Sequence, residues 1–87
     1  MSATPIFEVQ NTSAVRSHDA RALLGGGVAV HVSGSKLVDA VEITRCEASA
    51  YLSFRVTSGE ARALGAELTA AADAVDAARA AKEAAHG

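Results

Sequence analysis

The segment Val56-Thr57-Ser58-Gly59-Glu60-Ala61-Arg62-Ala63-Leu64 constrains this chain more than any other, because a strand-like alternation ends there and an alanine-rich run of nearly thirty residues begins. Thr57 and Glu60 stand in the S/T-x-x-E relation, in which a hydroxyl and a carboxylate satisfy each other's otherwise orphaned backbone donors at a helix start. The spacing predicts a long C-terminal helix over 57–85, preceded by a sheet region over 5–56 and a frayed 1–4. A chain of 87 residues is one domain, and at this size only about 60–65% of the unfolded surface is buried on folding. Its apolar residues are mostly Ala and Val, with Phe7, Phe54 and Tyr51 the only aromatics. At roughly 25 cal/mol per Å² of apolar surface, such small side chains each stabilise little.

Before the helix, Pro5–Gln10 reads as a short strand with Phe7 and Val9 on one face. Ser17–Leu24 reads as a short helix capped by Ser17 and ended by Gly25, and Gly25-Gly26-Gly27 as a flexible hinge. Val28, Val30 and Val32 alternate with Ala29 and His31 as a half-buried strand does. Ser33-Gly34-Ser35-Lys36 is turn chemistry, followed by a strand in which Leu37, Val41 and Ile43 share a face interrupted by Asp39. The cleanest alternation sets Ala48, Ala50, Leu52, Phe54 and Val56 against Ser49, Tyr51, Ser53, Arg55 and Thr57. Short connections favour antiparallel pairing. The expected fold is α+β: an antiparallel three- to four-stranded meander packed against one long C-terminal helix, with a short helix after the first strand.

Along that long helix, Ala61, Leu64, Leu68, Ala71, Val75, Ala78, Lys82 and Ala85 follow alternating steps of three and four, a narrow stripe that is leucine-rich early and alanine-rich late. The helix would run roughly 40 Å, whereas strands of about eight residues span only ~27 Å. Its last turns therefore overhang the sheet. Small side chains there, and Gly65 earlier, permit close approach of a second helix, so a homodimer with crossing tails is expected. Leu64, Leu68, Ala71, Val75 and Ala78 are the self-association candidates. For a partner protein the candidates are His31, Tyr51 and Arg55 on the outward sheet face, Tyr and Arg being types enriched at interface hot spots.

Charge and composition exclude much. The formal charge is −2, with ten acidic and eight basic side chains well mixed, which argues against a phosphate-tracking basic face. Cys46 is the single cysteine, so no intrachain disulfide framework exists and a reducing compartment is the natural setting. No apolar run approaches the ~20 residues of a membrane span, and the N-terminus lacks the basic-then-apolar order of a signal peptide. The expectation is a soluble, cytoplasmic protein.

Catalytic and cofactor chemistry is not indicated. His18, His31 and His86 are far apart and none stands at metal-ligand spacing with Cys46. Ser17-His18-Asp19 sets triad residue types side by side, yet a triad converges from separate segments. The glycine triplet lacks the Lys-Ser/Thr of a phosphate loop. Asp39 and Glu42 lie close in sequence but at an odd offset, so as strand residues they face opposite ways and are solvated.

Thr57-Ser58-Gly59-Glu60-Ala61-Arg62-Ala63-Leu64, followed by Ala66-x-Leu68 and Ala71-Ala72-Asp73, resembles the helix start of small uncharacterised proteins of actinobacteria and their phages and mobile elements. Val56 departs from the leucine usual in that pattern. The resemblance implies a β-meander closed by one helix, and no activity travels with it. In architecture the chain also looks like the sheet-plus-helix single-stranded-DNA-binding domains of transcriptional coactivators, which dimerise through their helices. Those carry a basic, aromatic sheet face, and here that face offers only Tyr51, Arg55 and His31. The functional expectation is a non-enzymatic, homodimeric protein-interaction module of phage or accessory-genome type. The alternatives are a weak single-stranded nucleic-acid binder and an assembly subunit of a larger complex.

Overall fold

The computed structural model describes residues 6–86, so the expected fray over 1–4 and the strand start at Pro5 lie outside the described residues. Five strands precede one helix: β1 (Glu8–Val9), β2 (Arg16–Leu23), β3 (Ala29–Ser35), β4 (Val41–Glu47), β5 (Ala50–Val56) and α1 (Ser58–His86). They form one antiparallel sheet in the order β1-β2-β3-β4-β5. This is the expected α+β meander with one strand more than anticipated.

The extra strand replaces the short helix expected over Ser17–Leu24. In β2, Ala20 and Ala22 face one way and Asp19 and Arg21 the other, a period of two that the helix-forming character of Ala, Arg and Leu disguises. Pairing on both sides decides the outcome: Ala20 lies opposite Val9 of β1 and Val32 of β3. Ladder pairing overrides propensity differences of a few tenths of a kcal/mol per residue. Ser17 caps nothing. It sits in a register irregularity between Arg16 and His18, and its hydroxyl donates to the Ser35 carbonyl at 3.2 Å.

The glycine triplet is a defined turn, not a hinge. Gly25–Gly27 make one 3-10 turn with φ of 77° at Gly26 and 75° at Gly27, and Leu24 N donates to Val28 O at 2.7 Å. A left-handed φ at two successive residues is what glycine permits without steric penalty. Leu37 belongs to the β3–β4 connection, not to a strand. The Ser35 hydroxyl accepts from the Leu37 and Val38 amides at 2.9 and 3.2 Å. Ala48 likewise leaves the expected strand for the β4–β5 turn, with φ 43°.

The helix begins as its sequence dictates. Thr57 N donates to Glu60 Oε1 at 2.9 Å and Glu60 N to Thr57 Oγ1 at 3.1 Å, a complete capping box. Thirteen of the 29 residues are alanine, the best helix former, which favours helix along a segment that packs little on the sheet. Its contact with the sheet is slight and runs mainly to β5. Ser58 and Ala61 are half-buried, and residues 62–85 are exposed.

The core is correspondingly small. Among the described residues, Ala20 (3% exposed) and Ala22 (6%) are the only buried apolar side chains. One sheet face gathers Val9, Val30, Val32, Val41, Ile43, Leu52, Phe54 and Val56 by register. Among the described residues no second layer covers it.

Candidate interaction surfaces

The way α1 leaves the sheet is set by local polar chemistry. Asp39, in the β3–β4 connection, accepts a hydrogen bond from Ser58 N at 2.8 Å. Its carboxyl is held below the ordinary value of 3.8, first by that backbone hydrogen bond and then by the Ser58 side chain, with the Arg62 charge adding to both. The expectation of a merely solvated Asp39 is thus corrected. A carboxylate aimed at the first amides of a helix also meets the positive end of the helix dipole. With Thr57 as the only residue between β5 and α1, the capping box and Asp39 together hold the helix at a fixed exit.

The stripe on that helix is uncovered. Leu64, Leu68, Ala71, Val75 and Ala78 lie within an arc of about 80° at 100° per residue. All five are exposed, Leu68 at 62% and Val75 at 57%. Leu64, nearest the sheet, is 37% exposed, so shielding falls off within the first two turns.

His31, Tyr51 and Arg55 share the polar sheet face, as alternation predicts, but do not form one cluster. His31 lies on the central strand and hydrogen-bonds Asp19. Tyr51 and Arg55 flank Ser53 on β5, at the sheet's edge. The register irregularity at Ser17 brings Arg16 onto the same face as Asp19, where its guanidinium lies 3.1 Å from Asp19 Oδ2. Asp19 is only 9% exposed; its carboxyl is lowered chiefly by the His31 hydrogen bond, against a smaller opposing effect of burial, with Arg16 assisting. This Arg16–Asp19–His31 group was not read from sequence, since its members come from two strands and meet only through the β2–β3 register. The adjacency Ser17-His18-Asp19 drew attention to the right carboxylate for the wrong reason.

Toward β5 the same face carries Thr44 and Ser53 hydroxyls 3.0 Å apart and an Arg55–Glu42 pair at 3.4 Å. An open cleft of about 280 Å³ lies over it, lined in part by Arg16, Glu42 and Arg55. Each of these two arginines already faces a carboxylate, so the cleft presents no free cationic pair to an anion. Among the described residues no group of three His, Cys, Asp or Glu side chains is arranged to hold a metal ion. Cys46 is exposed and free, and among the described residues no helix is long and apolar enough to cross a membrane.

What stands out is the sheet's asymmetry of edges. At one side β1 pairs over two residues only, while at the other β5 offers seven residues with no neighbouring strand among the described residues. Tyr51 (74%), Leu52 (64%) and Phe54 (46%) are exposed along it. The alternation puts Leu52 and Phe54 on the apolar side of β5, and nothing local to the strand tells whether a layer covers that side. The chain matches no protein-family model, no curated protein and no solved structure, so its physical surfaces carry the functional reading.

Proposed function

We propose that this chain is a small non-enzymatic interaction module that self-associates, and that as a dimer it binds a partner protein. The observation that supports this most is how little core the described residues make: among them two buried alanines stand against fourteen exposed large apolar residues, including Leu52, Phe54, Leu64, Leu68 and Val75. A fold of this size is a small difference between large opposing contributions, and two buried alanines with the half-buried Val30, Val32, Val41, Ile43 and Val56 offset the ordering of five strands only weakly. Apolar surface on this scale marks a protein interface. The α1 stripe and the apolar side chains along the open β5 edge are the surfaces that a second copy would dry. The polar face, with Tyr51, Arg55 and His31, is left for a partner protein.

Ala78→Glu tests the reading. It puts a charge in the late stripe, where the isolated chain is exposed and tolerates it. Sedimentation equilibrium should show a dimer for the parent chain and a dissociation constant raised at least tenfold for the variant. Equal masses at every concentration would remove the stripe from the interface.

A further inference from the structure

We infer that β5 pairs antiparallel with β5 of a second copy about a two-fold axis through Ser53, making one continuous ten-stranded sheet. The inference rests on the self-association reading and names its contact. An open strand edge carries a row of unsatisfied N–H and C=O groups and is a template for another strand. Proteins usually blunt such edges with Lys, Pro, bulges or brevity. The β1 edge is blunted by brevity. β5 has none of these devices: Ala50-Tyr51-Leu52-Ser53-Phe54-Arg55-Val56 is seven residues long, without Pro or Lys, and carries a single charge.

The occupant is a second copy because β5 is complementary to itself. With Ser53 opposite Ser53, Leu52 lies opposite Phe54 and Ala50 opposite Val56 on the apolar face, while Tyr51 lies opposite Arg55 on the polar face. Directly opposed side chains sit about 4.5–5.5 Å apart at Cβ, so Arg55 can lie over the Tyr51 ring of the other chain as a cation–π pair. No like charges meet, since each Arg55 faces a tyrosine. The pairing is isologous, and it closes at two copies because β1 leaves no long edge for a third. It also joins the two uncovered apolar faces into one. The two Val56 residues would stand about 20 Å apart at ~3.3 Å per residue, so the two α1 helices leave the seam at its opposite ends.

The experiment is oxidation of Ser53→Cys in a Cys46→Ser background, on the full chain, beside Leu68→Cys in the same background and the mass of the Cys46→Ser parent. Opposed residues in an antiparallel pair have Cα atoms about 4.5 or 5.5 Å apart, both inside the roughly 4.4–6.8 Å a disulfide spans. The expected result is a dimeric parent and a disulfide-linked dimer as the dominant product of Ser53→Cys. A dimeric parent in which Ser53→Cys stays unlinked, whether or not Leu68→Cys links, overturns β5 pairing and leaves self-association standing. A parent at the mass of one chain overturns both. Ser53→Lys gives a second measure, because Ser53 is exposed and the substitution sets two cations against each other at the axis. It should raise the dimer dissociation constant at least tenfold, with the parent's circular dichroism recovered at concentrations where the variant is dimeric, and an unchanged constant contradicts the pairing.

Discussion

Leu68→Ala separates a helix that merely projects into water from one that is half of an interface. Within a single chain Leu68 is 62% exposed, so little more than a third of its surface is shielded, most of it by the turns of α1 itself. Full burial of a leucine side chain is worth about 1.5–3 kcal/mol; a third of that is roughly 0.5–1 kcal/mol, and alanine's better helix propensity returns a few tenths. In an isolated chain the substitution is nearly neutral. If a second copy buries Leu68, deletion removes the transfer energy and opens a cavity, which together cost about 2–5 kcal/mol for a buried Leu→Ala change. The assay is urea unfolding followed by circular dichroism across a hundredfold range of protein concentration. Parent midpoints should rise with concentration, because association stabilises by mass action, and Leu68→Ala should lower them most at the concentrated end. Coincident curves for parent and variant at all concentrations would refute the burial of the stripe.

Three further outcomes follow from local geometry. Ala48→Gly should stabilise, since a non-glycine residue at φ 43° carries roughly 1–2 kcal/mol of steric penalty, less the ~0.5–1 kcal/mol by which glycine's unfolded freedom opposes folding; thermal melting should move upward by a few degrees. Thr57→Ala removes the hydroxyl that accepts from Glu60 N and should cost about 0.5–2 kcal/mol, read as lost helical ellipticity with the sheet signal retained. Asp39, whose folded carboxyl lies below its ordinary 3.8, contributes stability that is present above that value and lost as pH falls through the lower folded value. The parent should therefore exceed Asp39→Ala in unfolding midpoint at neutral pH, and the gap should close in acid; a gap independent of pH would mean that the carboxylate charge is not what anchors α1.

Much of the fold was legible wherever neighbours in sequence are neighbours in space. The capping box needs only Thr57 and Glu60, three residues apart, and both of its hydrogen bonds form. β3, β4 and β5 show their alternation directly, because their valines, Ile43 and Phe54 recur every second residue. β2 was illegible because Ala, Arg and Leu favour helices, and only the partners Val9 and Val32, distant in sequence, make it a strand. Asp39 was misplaced for a related reason, its target amide lying nineteen residues away. The stripe Leu64, Leu68, Ala71, Val75 and Ala78 was legible as a stripe. Its emptiness was not, since periodicity shows which residues share a side and says nothing of what lies against it. The open β5 edge escaped notice because an edge strand and a central strand have the same alternation.

The most direct test of the account is the solution mass of the unmodified chain by light scattering, measured over a range of concentrations. The account predicts a species near 17–18 kDa, twice the 8.8 kDa chain, dissociating on dilution with loss of structure. A well-folded species of 8.8 kDa at every concentration would show that two buried alanines suffice for this sheet, and would contradict the claim that a second copy completes the fold.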